Sequence, residues 1–187
     1  MASLAIKQME QPLTIKQSME LMKKLLKTNK KKLTNKDFQP GKILTFSYDA
    51  KDKTQTYDQT PLVFVLLRGK SHTMGINLHW APIPLRIILV KKILEVNRQN
   101  IKLGKPLEFS YSQLKPFLKK VGFAPIIRLY INKRISSMGV VIPDDQIMNA
   151  AKMKSETFTK GKVDAETLYK RALRKNKEYR QNRTRRQ

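Results

Sequence analysis

Near the start of the chain, Leu13, Ile15, Met19, Met22, Leu25 and Leu26 recur at helical spacing. This predicts an amphipathic helix capped by Thr14 and running to about Lys32, with Lys30-Lys31-Lys32 as its solvated end. After the turn signal Pro40-Gly41 the pattern changes. Ile43 to Tyr48 is rich in strand formers, Leu62 to Leu67 is a continuous apolar run, and Met74 to Trp80 alternates with Ile76, Leu78 and Trp80 on one face. These read as three strands of an antiparallel meander, separated by the polar stretch Asp49 to Thr60 and the basic turn Arg68 to Thr73.

Helical spacing then returns. Pro84 suits a first helical turn, where its missing N–H costs nothing. It leads into Leu85 to Asn97, with Leu85, Ile88, Leu89, Lys92, Ile93 and Val96 predicted on one face. Ser110 is placed to cap a helix through Lys120 with Pro116 near its start or at a kink. Pro125 opens an expected helix from Ile126 to Ile135. Ser137 to Ile142 reads as a strand. Pro143-Asp144-Asp145 starts a helix to about Met153, its acids complementing the dipole. A last helix is expected from Asp164 to Tyr179, followed by a basic arm.

Three regions follow: a basic N-terminal helix and extension over 1–39, an α+β core over 40–153, and a basic C-terminal helix and arm over 154–187. The first holds nine Lys, no Arg and three acids; the last holds twelve basic residues against four acids. The predicted fold class is α+β, a small antiparallel sheet, SH3-like in one form, followed by packed helices. No apolar run approaches the roughly 20 residues of a membrane helix, so no membrane partner is expected. With no cysteine, neither a disulfide framework nor a thiolate metal site is available.

Charge changes the picture most. Thirty-nine Lys and Arg against fourteen Asp and Glu leave +25 on 187 residues. Such an excess repels itself, and a polyanion relieves it while releasing counterions. Candidate phosphate contacts are the pairs Lys91-Lys92, Lys119-Lys120 and Lys133-Arg134, with Arg86 and Arg128, and Arg180, Arg183, Arg185 and Arg186 of the arm. The arm has no apolar residue after Tyr179, so it is expected to be ordered only by an anionic partner, DNA phosphates or an acidic subunit groove. Zinc-finger spacing, an RNP-like motif and a leucine zipper are missing, which favours phosphate-dominated binding of double-stranded DNA over base readout.

Catalysis has little to stand on. His72 and His79 form no helical ligand pair and join no carboxylate in a metal triad. Asp144-Asp145 reads as a helix start. The seven glycines make no phosphate loop. No cofactor, no metal and no catalytic residue are expected.

Phe46-Ser47-Tyr48-Asp49-Ala50-Lys51, then Tyr57-Asp58-Gln59-Thr60-Pro61-Leu62-Val63, resembles a "Y-D-x-K … Y-D-x-x-P-L" pattern. Gly75-Ile76-Asn77-Leu78-His79-Trp80-Ala81-Pro82 is similar to a "G-x-N-L-H-Y-x-P-P" motif and leads to Arg86, and Ile126 to Ile135 looks like a basic "I-K-x-Y-L-x-x-x-x-R" helix. These patterns belong to small virion proteins of T4-like tailed phages, of the DNA end protector type, and cover roughly residues 43–150. Trp80 stands where Tyr is usual, and Ala81 precedes the first proline.

The resemblance implies a non-enzymatic virion protein, made in the host cytoplasm, that meets the packaged DNA or its terminus near the portal and neck. The alternative is an architectural connector, tail or baseplate protein whose basic tails bind acidic neighbouring subunits. An RNA-associated protein is a third reading, against which the resemblance argues. By chemistry alone, the Gly75 to Pro82 motif reads as a strand-to-helix corner, with Asn77 and His79 holding the proline turn.

Overall fold

A computed structural model describes residues 11–51, 58–103, 105, 111–123, 126–154 and 163–184. The chain runs α1 (Ile15–Asn29), β1 (Lys30–Lys32), β2 (Ile43–Tyr48), β3 (Leu62–Arg68), β4 (His72–Asn77), α2 (Ile83–Val96), α3 (Arg98–Lys102) and α4 (Tyr111–Val121). It continues through β5 (Ile127–Ile131), β6 (Ile135–Val141), α5 (Ile147–Lys152) and α6 (Ala165–Thr184). The class is α+β, with an antiparallel sheet and several packed helices.

Strand order is β1-β6-β2-β3-β4-β5, every neighbour antiparallel. β5 and β6 are four steps apart in this order, about 19 Å in a flat sheet. Yet only the single 3₁₀ turn Asn132–Arg134 joins them, a span of about 8 Å. The sheet therefore curls until its two sides meet. The Ile131 N–H donates to the Tyr48 hydroxyl at 3.3 Å across the closure. Inside, Tyr130 of β5 meets Phe46 and Tyr48 of β2 edge-on at 5.5 and 5.1 Å between ring centroids.

The unbroken apolar run of β3 reflects burial on both faces. Val63 and Val65 join Leu44, Phe46 and Tyr130 inside the curl. Leu62, Phe64 and Leu66 face outward under the helices, against Leu25, Leu89, Ile93, Leu114 and Ile147. Gly75 of β4 has no room for a side chain: a Cβ there would overlap Val63 Cγ1 and the Phe64 carbonyl. It sits beside the register shift between Val65 and Leu67.

α1 begins as expected. Thr14 and Gln17 form a reciprocal capping box. The helix is tied to the body by Leu13 N–H to Lys152 O at 3.1 Å and Lys154 N–H to Ser18 Oγ at 3.0 Å. Lys30–Lys32 differs from the expected helix end: these residues pair with Met138, Gly139 and Val140 as an edge strand, and their exposed lysines suit an edge.

The expected helix over Ile126–Ile135 is corrected to a strand and a 3₁₀ turn. Ile127, Leu129 and Ile131 alternate with Arg128 and Tyr130, a period of two, and β-branched residues favour the pleat. The strand expected over Met74–Trp80 ends at Asn77, where the Asn77 side chain accepts the His79 N–H and turns Leu78–Trp80 into a 3₁₀ turn.

α2 buries Arg86, Ile87, Leu89, Val90 and Ile93 and leaves Ile88 and Val96 exposed, so its inner face is rotated from the expected one. The helix is apolar nearly all round, so periodicity does not select a side; packing beside α5 does. Pro116 lies inside α4, not at its start, and Gly122 at φ +90° ends that helix. The Ser110 cap and Pro125 lie outside the described residues. Asp144–Gln146 is a 3₁₀ turn before α5, and α6 continues past Tyr179 to Thr184.

Candidate nucleic-acid interface

At the end of the barrel where β3 turns into β4, three chain segments meet. They are the turn Gly69–Ser71, the link Asn132–Arg134, and the 3₁₀ turn Asn35–Phe38. Asn132 holds the first two together. Its amide donates to the carbonyls of Gly69 and Lys70 at 2.9 and 3.0 Å, and its backbone N–H donates to Ser71 O at 2.9 Å. Its Oδ1 accepts from Thr73 Oγ1 and from Arg68 Nη1 at 2.8 and 2.9 Å. Arg68 reaches the third segment, donating to Asn35 Oδ1 at 3.2 Å with its guanidinium 4.2 Å from the Phe38 ring centre. Burial lowers the Arg68 pKa.

Arg68 is therefore committed to the clamp. Lys36, Lys70 and Lys133, one from each segment, are exposed around it. Each of the three joined turns thus carries one exposed lysine. Sequence reading found Lys133 but missed Lys36 and Lys70, because positions so far apart carry no local periodicity. The available signal was the repeated association of Asn or Gly with Lys in turn-forming tracts.

The remaining sequence candidates divide by environment. Arg134 is partly buried and donates to Asp49 at 3.1 Å. Lys91 is exposed on α2, and Lys92 pairs with Glu95 at 3.0 Å. Lys119 and Lys120 are exposed on the last turn of α4. Arg128 is partly buried, its guanidinium 4.1 Å from the Trp80 ring centre. Burial lowers its pKa, against the opposing effect of Tyr130. Arg180 and Arg183 fall on the last turns of α6, while Arg185 and Arg186 lie outside the described residues.

Arg86 is corrected. It is 1% exposed, donating from Nε to Ala81 O and from Nη1 to Met153 O, both at 2.7 Å. Burial pushes its pKa down to about 10, with Asp58 opposing. A guanidinium so enclosed does not reach a phosphate outside. It fixes the strand-to-helix corner and ties it to the end of α5.

The Gly75–Pro82 motif builds a polar lock around the same corner. Asp58 Oδ2 lies 2.8 Å from His79 Nδ1 and accepts from Asn77 Nδ2 at 3.3 Å, and Asp58 Oδ1 accepts the Thr60 N–H at 3.1 Å. Asn77 and His79 thus hold Asp58, whereas the proline turn is held by Arg86. Tyr57 lies outside the described residues. Beside the lock, burial raises the Tyr130 pKa well above its ordinary value, and the Asp58 charge adds to this.

Asp144 lies 3.5 Å from Lys42, and Asp145 accepts from Gln146. Among the described residues no three His, Cys, Asp or Glu side chains gather where they could hold a metal ion.

A family model described as phage T4 terminal DNA protecting protein matches residues 3–172. No curated protein matches the chain, and no solved structure does.

Proposed function

Because the chain belongs to the phage T4 terminal DNA protecting proteins, a family of non-enzymatic virion proteins, we propose that it covers the end of double-stranded DNA through the lysine-bearing barrel end. Lys36, Lys70 and Lys133 bind backbone phosphates there, and the clamp of Asn132 and Arg68 sets their spacing. Lys91, Lys119, Lys120 and the arginines of α6 and the terminal arm extend the electropositive field that draws DNA in. Phosphate contacts position the protein without reading bases, as a protector of a terminus requires. Protection combines charge neutralisation with steric blocking of exonucleases. Made in the host cytoplasm, the protein would act inside the particle, at the genome end near the portal and neck.

The observation that carries this reading is the one exposed lysine on each of three turns joined by one Asn–Arg clamp. The test is titration of a blunt duplex at several salt concentrations with the parent protein and with Lys36→Ala/Lys70→Ala/Lys133→Ala. Each phosphate contact contributes about 0.9 to the slope of log affinity against log salt, so the variant should lose about 2–3 from that slope and protect the duplex end poorly from exonuclease. An unchanged slope and unchanged protection would place the DNA contact elsewhere.

A further inference from the structure

α1 carries one wide apolar face, and the fold covers only part of it. Leu25 and Ser18 are buried against the body, with Leu21 packed beside them. The rest of it remains outside: Ile15 is 53% exposed, Met19 48% and Leu26 44%, with Met22 half-buried between them and packed against the core. Their spacing is i, i+4, i+7, i+11, the alternation of a helix–helix seam. Lys16, Lys23 and Lys27 are exposed along its outer flank. The capping box and the ties to Lys152 and Lys154 fix the helix, so the line is presented on a rigid element. Single exposed apolar residues need no explanation, but three in one register, joined by the half-buried Met22, do.

We propose that Ile15, Met19, Met22 and Leu26 form the docking seam for an acidic amphipathic helix of a neighbouring virion subunit. The heptad-like spacing selects a helix as occupant. The flanking lysines select one carrying Glu or Asp beside its apolar line, where pairing across the seam sets partner and orientation. A second copy of this chain would bring like charges together across a self-complementary contact. DNA has no use for an apolar line of this length. Two methionines let the surface adapt to its partner. That the partner belongs to the virion rests on the family reading; the chemistry of the seam does not.

The test uses the full chain and a labelled three-heptad peptide with leucine at the seam positions and glutamate on both flanks. The same peptide with lysine flanks and vesicles of phosphatidylglycerol and phosphatidylcholine serve as competitors. The parent should bind the glutamate peptide and not the lysine peptide. Ile15→Ser/Met19→Ser/Leu26→Ser should weaken binding by about tenfold or more, and Lys16→Glu/Lys23→Glu/Lys27→Glu should reverse the peptide preference. Equal binding of both peptides, preference for the vesicles, or self-association through this helix would overturn the proposal.

Because the chain has no cysteine, Met19→Cys places one thiol on the seam for cross-linking in assembled particles. The expected product joins an acidic helical segment of a different subunit. A link to a second copy or to DNA, or no product from particles that contain the variant, counts against it. The serine variant should keep the parent's salt slope on duplex DNA, so failure of the seam and failure of the DNA reading are told apart.

Discussion

The Asp58 carboxylate and the His79 ring, 21 positions apart in the chain, lie 2.8 Å from one another and close the corner between the sheet and α2. Asp58 also accepts from Thr60 and Asn77, so one side chain serves three partners. Asp58→Ala takes the carboxylate away from the exposed Thr60 N–H and from the part-buried Asn77 and His79 side chains. The expected loss is about 2–4 kcal/mol of stability by denaturant titration. Duplex affinity per folded molecule should stay at the parent's value, and a selective loss of affinity in a fully stable variant would make the corner a DNA contact.

Arg86→Met should separate structure from binding in the same way. The substitution keeps the stem and removes the donors to Ala81 and Met153. Losing two buried hydrogen bonds from a charged donor costs about 3–5 kcal/mol, while the salt slope of DNA binding should not change. A slope reduced by about one unit, with stability intact, would return Arg86 to the phosphate-binding set.

Asp37 predicts a pH effect. Burial pushes its carboxyl up, but hydrogen bonds from Lys31 and from the Thr34 backbone and hydroxyl, with the Lys31 charge, hold it below the ordinary carboxylate value. A depressed folded pKa stabilises the protein above the unfolded pKa of about 3.9 and loses that contribution as pH falls through the folded value. Asp37→Asn should therefore be less stable than the parent at pH 7, by about 1–2 kcal/mol. The gap should narrow below about pH 4. A constant gap across that range, measured by urea titration, would rule out the linkage.

Trp80 packs against Val163 and Leu168 as well as beneath Arg128, so it joins α6 to the body. Tyr169 adds a second tie, its hydroxyl donating to Gly122 O at 3.1 Å. Trp80→Ala should cost about 2–3 kcal/mol, less than a fully buried ring. Amide exchange should accelerate first over residues 165–175. Uniform acceleration through β2, β3 and β4 would mean that the ring supports the barrel.

Local chemistry in the sequence determined the elements whose signals agree with one another. Thr14 and Gln17 sit at capping-box spacing, so the start of α1 was legible. β2 and β3 were legible because Ile43–Tyr48 and Leu62–Leu67 are strand-forming runs bounded by turn residues. The α+β class followed from those runs and the helical periods after Pro84. The excess of Lys and Arg pointed to a polyanionic partner before any fold was known, because charge is summed over the chain whatever its shape.

Tertiary structure decided the rest. Ile126–Ile135 has both apolar spacing and basic residues, and only closure of the barrel against β4 and Tyr48 made it a strand and a turn. α2 is apolar on most sides, so its neighbours selected the buried face and drew Arg86 inside. The turns that carry Lys36, Lys70 and Lys133 came together through the Asn132–Arg68 clamp, which joins residues 35, 68, 69, 70 and 132. Such long-range hydrogen bonds leave no period in the sequence; they exist only once a curled sheet brings its turns to the same end.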